Sequence, residues 1–318
     1  MTKKASEKEK EEEERDLDDE EQGPEDDKPM SFWDHLGELR TRVVYSLIAL
    51  IIGCAITWFS KEKLLAKITD PFCASWKAHA VPGACNLHFS TPGGDFAAYF
   101  TLALIGGFAI AAPVIFYQLW AFVAPGLYAK EKKYVIPFVV ASTFLFVSGG
   151  FFAFKFALPL TFGYFLSMSG SVEGAVTVTP TIMMEEYIDF VVKILLGFGA
   201  IFEIPILFTF LSLAGVVNHK QMLRWARYYI FAAFLIAGIL TPPDWASQLV
   251  MAIPASGLYF LSVGLVFIFQ KKSALKAWED REQEKADAKK KEEDDKAAEE
   301  KKKRKKTKPK SKTKGAVA

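Results

Sequence analysis

A glutamate, Glu203, stands near the middle of the apolar run 187–217. A carboxylate at the centre of a membrane helix raises the cost of insertion by about 2.5–3.5 kcal/mol on translocon scales, so it marks a wet cavity, a polar partner or a substrate route. Other side chains able to do chemistry are sparse. Lys155, Asp189 and Lys193 fall near the ends of apolar runs. Asp189 and Lys193 are spaced to pair at i,i+4, and Lys155 could reach Asp189, Glu185 or Glu186; lysines snorkelling at a membrane edge are the plainer reading. Cys73, His79, Cys85 and His88 share the segment 60–95. In an oxidising compartment Cys73 and Cys85 would close a loop of about 13 residues for roughly 3 kcal/mol. A zinc site from the two Cys and two His is the alternative, although the spacings are not those of usual fingers. Cys54 sits inside an apolar run, where packing explains it. The chain has neither H-E-x-x-H nor G-x4-G-K-[ST], and its His are scattered, which weighs against an enzyme and calls for no cofactor.

The elements that must position these groups are read from hydropathy. Of 318 residues, 51% are hydrophobic, yet the 24% that are charged are segregated to the ends. Residues 1–29 hold 14 acids against 6 bases, and residues 271–318 hold 19 bases against 11 acids. Neither tail has enough apolar surface to offset chain ordering, so 1–29 reads as an acidic disordered tail and 271–318 as a basic one, ending in the cluster 301–314. Such a basic end could meet anionic headgroups or the acidic head. No cleavable signal peptide is visible at the start. Between the tails, residues 30–270 form the membrane domain. Six apolar runs, 43–59, 96–123, 135–154, 188–217, 228–240 and 246–269, suit helical spans of a hydrocarbon core about 30 Å thick. The fifth holds only about 13 residues, or about 20 Å of rise, and predicts a short helix or a locally thinned bilayer. Continuous rather than alternating polarity argues against a barrel.

Lys and Arg concentrate in the connections 124–134 (Lys130, Lys132, Lys133) and 218–227 (Lys220, Arg224, Arg227), and at Arg40, Arg42, Lys271 and Lys272. The positive-inside rule makes these ends cytoplasmic, with both termini inside; the connection 60–95, with four bases, dissents. Gly107 to Pro113 and Gly199 to Pro205 share a G-x5-P spacing, which predicts two matched helix bends and a concave side to the bundle.

Four ordered motifs carry a resemblance. They are Ser31-Phe-Trp-Asp-His-Leu-Gly-Glu-Leu-Arg-Thr-Arg42, Ala112-Pro-Val-Ile-Phe-Tyr-Gln-Leu-Trp-Ala-Phe-Val-Ala-Pro-Gly-Leu-Tyr128 with Glu131 beyond it, Phe202-Glu-Ile-Pro205, and Leu240-Thr-Pro-Pro-Asp244. Together, across about residues 31–270, they resemble the TatC family. The resemblance implies an all-α polytopic membrane protein, six transmembrane helices in a curved, concave bundle with cytoplasmic termini. It also implies a receptor for the twin-arginine signal peptides of folded cargo. Single-span TatA and TatB proteins would be its partners, in a hetero-oligomer of several copies, in the bacterial cytoplasmic (inner) membrane and driven by the proton-motive force.

Residue by residue, the resemblance makes Glu38 and Glu131 the acids that read the paired arginines, with Arg40 and Phe122 in the same patch and Trp120 close by. An arginine fork suits a carboxylate in bidentate fashion, which a lysine point charge cannot reproduce. Without the family, Glu38 and Glu131 would read as loop carboxylates paired with Arg40 or Lys132. Glu203 matches the family's intramembrane glutamate on the concave face. Thr241 and Gln248 match a polar patch that contacts TatA or TatB, where interhelical hydrogen bonds contribute about 0.6–2 kcal/mol. Pro242, Pro243 and Asp244 would form the outer turn. The family is silent on Cys73, His79, Cys85 and His88. The alternative function is a secondary transporter of a small solute or ion with Glu203 as its coupling site. No nucleic acid is expected as a partner.

Overall fold

The computed structural model describes residues 32–123, 135–172, 176–242 and 244–270, together with Leu275, Trp278, Gln283 and Lys290. Glu131, Pro243, the lysines of 124–134, the acidic segment 1–29 and most of 271–318 lie outside the described residues.

Among the described residues nine α-helices and one small hairpin follow in order. They are α1 (Phe32–Trp58), α2 (Lys61–Ala78), α3 (Gly94–Val123), α4 (Val135–Phe152), a π turn (Ala153–Ala157), α5 (Leu158–Ser167), β1 (Gly170–Val172), β2 (Val176–Val178), α6 (Met184–Phe202), α7 (Ile204–Leu213), α8 (His219–Leu240) and α9 (Trp245–Phe269). The strands pair antiparallel, Gly170 opposite Val178. Among the described residues six helical stretches are long and apolar enough to cross a membrane: His35–Trp58, Gly94–Val123, Val135–Ser167, Met184–Leu213, His219–Leu240 and Trp245–Phe269. With no water in a bilayer core, a helix satisfies its backbone within the segment, and the apolar side chains exposed along α1, α4 and α8 meet lipid at no cost.

Three expectations change. The fifth span is not short: α8 has 22 residues because the helix runs on through Lys220, Gln221, Arg224 and Arg227 before its apolar part begins. The connection is 214–218, and Asn218 caps the helix by accepting from the Gln221 N–H at 2.9 Å. The third span likewise extends past residue 154. Pro159 has no N–H to donate to the Lys155 carbonyl, and the helix widens there into the π turn before continuing as α5. The connection 60–95 is not a plain loop, since α2 is an 18-residue helix with Ile68, Phe72 and Trp76 on its buried face.

That helix is clamped to the end of the bundle. Phe72 packs at 5.3 Å from Phe162 and 5.5 Å from Tyr187, and the Tyr187 hydroxyl donates to the Ile68 carbonyl at 2.8 Å. A disulfide joins Cys73 of α2 to Cys85. Both thiols are therefore committed to one bond, which removes the four-ligand zinc alternative. Beyond it, the His88 N–H donates to Ile182 at 3.0 Å and its carbonyl accepts from Met184, laying the segment before α3 along the start of α6.

The two prolines sit differently: Pro113 lies within the continuous helix α3, whereas Pro205 is in the first turn of α7, just past the break at Glu203. At the other interface of α3 the backbones of α1 and α3 touch: a Cβ on Gly53 would fall 2.4 Å from the Gly107 carbonyl oxygen. Small residues permit this approach between membrane helices.

Candidate functional site

The first half of α1 carries a polar cluster. Arg42 lies one helical turn past Glu38, and its Nε and Nη2 both donate to Glu38 Oε1, at 3.3 and 3.0 Å. Arg42 Nη1 donates across to Gln118 Oε1 of α3 at 3.1 Å, so one guanidinium ties the acid to the neighbouring helix. Glu38 Oε2 is buried and has no hydrogen-bond partner among the described residues. One oxygen of the carboxylate is thus held by Arg42 while the other has acceptor capacity to spare for a ligand bringing N–H groups. His35 stacks on Phe122 at 4.4 Å and closes the same face. Trp120 is buried, with its indole N–H donating to Ser142 Oγ at 2.9 Å.

The expected pairing of Glu38 with Arg40 is corrected by this geometry. Residues two apart on a helix point to nearly opposite sides, while those four apart share a face. Arg42 therefore holds the acid, and Arg40 is exposed. Glu131 belongs to the segment outside the described residues, so its distance from Glu38 is not part of the geometry.

Glu203 occupies the break between α6 and α7. Its backbone N–H bonds Ala200 at 3.1 Å, a tightened turn, and its carbonyl accepts from Leu207 at 2.9 Å, so the residue serves both helices. The carboxylate faces the Ser142 hydroxyl of α4, and its Oε1 is buried with no hydrogen-bond partner. Ser142 itself is fully buried. Trp120 and Ser142 thus join α3 to α4 in the interior, beside the Glu203 carboxylate at the α6–α7 break.

The polar pair at α8 and α9 is internally bonded. The Thr241 hydroxyl is buried and donates to Ala237 of its own helix at 2.8 Å. Gln248 Nε2 donates from α9 to the Phe234 carbonyl of α8 at 2.9 Å. Asp244 is the cap of α9: its Oδ1 accepts from the Ser247 N–H at 2.8 Å and its Oδ2 from the Ser247 hydroxyl. Asp189 and Lys193 form an exposed i,i+4 pair, whereas Lys155 lies over the Phe154 ring at 5.9 Å rather than on an acid. Among the described residues no group of three His, Cys, Asp or Glu could hold a metal ion.

Arg42, Gln118 and Ser142 were not marked by their spacing. The first is legible in hindsight as the i,i+4 partner of Glu38, while Gln118 and Ser142 are polar residues in apolar helices whose partners lie far along the chain.

Six bilayer-length helices with a half-buried acid–arginine cluster near one end and a carboxylate at an internal helix break define a multi-pass membrane protein with polar recognition chemistry. A family model described as "Sec-independent protein translocase protein (TatC)" matches residues 34–254. Proteins of that name from Koribacter versatilis and Desulforapulum autotrophicum are 34% and 36% identical over 81% and 80% of this chain, covering 93% and 88% of their own lengths. The Aquifex aeolicus protein of that name is 34% identical over 78% of the chain and all of its own length. Two solved structures described as crystal structures of the twin-arginine translocase receptor TatC, one of them in DDM, superpose with TM-scores of 0.63 and 0.65. Each is 35% identical, covers 73% of this chain, and is itself covered to 97% or 99%. The chain belongs to the TatC family. That family is a protein translocase component rather than an enzymatic one, and the relatives lend no support to a small-solute transporter.

Proposed function

We propose that this chain is the receptor subunit of the twin-arginine translocation system, binding twin-arginine signal peptides of folded proteins at the Glu38 end of the bundle. The observation that carries the reading is the half-satisfied Glu38 carboxylate, with Oε1 on Arg42 and Oε2 buried without a partner among the described residues. An incoming arginine supplies several N–H donors in a rigid fork and can take Oε2 or displace Arg42, an exchange of like for like in charge. Glu131 is the second acid of the site, Phe122 and His35 its aromatic wall, and Arg42 rather than Arg40 the resident counter-ion.

The Glu38 end, with both termini, faces the cytoplasm, and the multi-pass chain sits in the bacterial inner membrane. Supporting this orientation, the disulfide lies past the other end of α1, on the side where an oxidising compartment is needed. TatB-like and TatA-like single-span helices dock on the α8–α9 edge near Thr241 and Gln248, in a complex of several copies driven by the proton-motive force. Because both side chains already donate within the chain, they hold that edge in shape and leave the partner to meet mainly apolar surface. Glu203 acts after recognition, offering a polar contact inside the bundle to an inserted peptide or partner.

The test is photocrosslinking of an Arg-Arg signal peptide to membranes holding the full translocase. Glu38→Gln and Glu131→Gln should lower the yield severalfold each, and Glu203→Ala should leave it intact while blocking cargo export. Equal yields in wild type and the Glu38→Gln, Glu131→Gln double variant would overturn the assignment.

A further inference from the structure

On the side of the bundle that carries α2, a groove of about 310 Å³ opens between α2, α3, α4 and α6. Its walls are apolar, with Phe146, Phe154 and Leu195 among them, and Lys67 of α2 is the one charged residue lining it among the described residues. A second lysine stands beside it. Lys155 rides in the π turn with its ammonium 5.9 Å from the ring of Phe154, which is itself part of the wall. π turns recur at functional sites because the extra residue re-aims side chains out of the regular helical stripe.

Gly150 supplies an independent observation. Its neighbour Gly149 is required by packing, since a Cβ there would fall 2.6 Å from the Phe198 carbonyl oxygen. A Cβ on Gly150 would meet nothing within 4 Å, and that residue lines the groove. Glycine weakens a helix interior. Here it has no close neighbour to accommodate, and what its missing side chain provides is the open groove.

We propose that this groove is a binding site for an anionic phospholipid of the bilayer, one acyl chain lying over Gly150 and the phosphate held by Lys67 and Lys155. The lining selects the occupant: its walls are apolar, as a hydrocarbon chain requires, and Lys67 is at hand for a headgroup. An extended peptide would bring backbone N–H and C=O groups to a wall that has no partner for them. Lys67 in a lining with no carboxylate, and the exposed Lys155 next in sequence to the wall residue Phe154, favour a phosphate. The proposal is independent of the receptor reading, whose acids lie near the other end of α1.

The test uses the full chain in nanodiscs of phosphatidylcholine doped with phosphatidylglycerol, each lipid in turn carrying a photoreactive acyl chain. Labelled peptides are then mapped by mass spectrometry. Phosphatidylglycerol should label the 146–154 stretch in preference to phosphatidylcholine. Lys67→Gln and Lys155→Gln, both at exposed positions, should each reduce that preference about fivefold. Gly150→Leu fills the groove into open space and should abolish labelling by both lipids while the melting temperature holds. Equal labelling by the two lipids in wild type would mean an ordinary annular contact and overturn the proposal. Labelling that persists in Gly150→Leu would equally overturn it. So would displacement of the lipid by a signal peptide that itself crosslinks at 146–154, since the groove would then belong to the peptide.

Discussion

Replacing Gly107 with alanine should damage the recognition site from a distance. The added methyl group would lie 2.5 Å from the Cys54 backbone nitrogen and 2.6 Å from its sulfur, where ordinary contact begins at 3.4 Å. Because the nearest obstacle is backbone, no side chain can swing aside, and α1 must retreat from α3 by about 1 Å at a cost of about 1–3 kcal/mol. Gln118 lies on α3 about 16 Å further along at 1.5 Å per residue. A retreat of α1 at Gly53 stretches the 3.1 Å bond between Arg42 and Gln118 beyond hydrogen-bonding range. The assay is paired: thermal or denaturant unfolding of the purified protein, and binding of a labelled twin-arginine peptide. Gly107→Ala should lose about 1–3 kcal/mol of stability and about tenfold in peptide affinity, a tenfold change being about 1.4 kcal/mol. The control is Gly264→Ala in α9, where an added Cβ meets nothing within 4 Å. It should be neutral or stabilising by about 0.5–1 kcal/mol, as glycine is a poor helix residue. If Gly107→Ala proves as stable as Gly264→Ala and binds peptide like wild type, the close backbone contact and its coupling to Arg42 are both refuted.

Other substitutions probe separate parts of the account. Ser142→Ala removes the acceptor of the buried Trp120 indole and should destabilise by about 1–3 kcal/mol in an unfolding titration, more than a surface serine would. Cys73→Ser with Cys85→Ser opens a loop of sequence separation 12 and should cost about 3 kcal/mol in the chain-entropy model. Reductant should lower the stability of wild type but not of that double variant. Asp244→Ala removes the cap of α9 and should cost about 1 kcal/mol by unfolding. Asp244→Asn, which retains an acceptor oxygen, should recover much of it.

The spans were legible because bilayer-length apolar runs leave few alternatives, and Glu203 was legible because no other charged residue lies so near the middle of one of those runs. Helix ends were not. The polar start of α8 resembles a loop to a reading based on hydropathy, although Asn218 and its bond to Gln221 N–H mark a helix start. α2 was hidden for a different reason: it mixes Lys, Glu and Asp with Ile68, Phe72 and Trp76 and carries Pro71, so it shows neither a membrane run nor an uninterrupted helical pattern. The G-x5-P echo says where the prolines fall but not which of them interrupts its helix, because that depends on their surroundings. Pro113 is accommodated within α3, while Pro205 coincides with the break at Glu203. Within the recognition cluster, Glu38 is identified by its motif, yet its link through Arg42 to Gln118 spans 76 residues and becomes visible only when α1 and α3 are packed.

The most direct measurement is the affinity of the purified full chain for a signal peptide bearing Arg-Arg and for the same peptide bearing Lys-Lys. Two carboxylates, Glu38 and Glu131, that read guanidinium forks should prefer Arg-Arg by at least about tenfold, and the preference should collapse in Glu38→Gln. Equal affinity for the two peptides, or a preference that survives Glu38→Gln, would contradict the account.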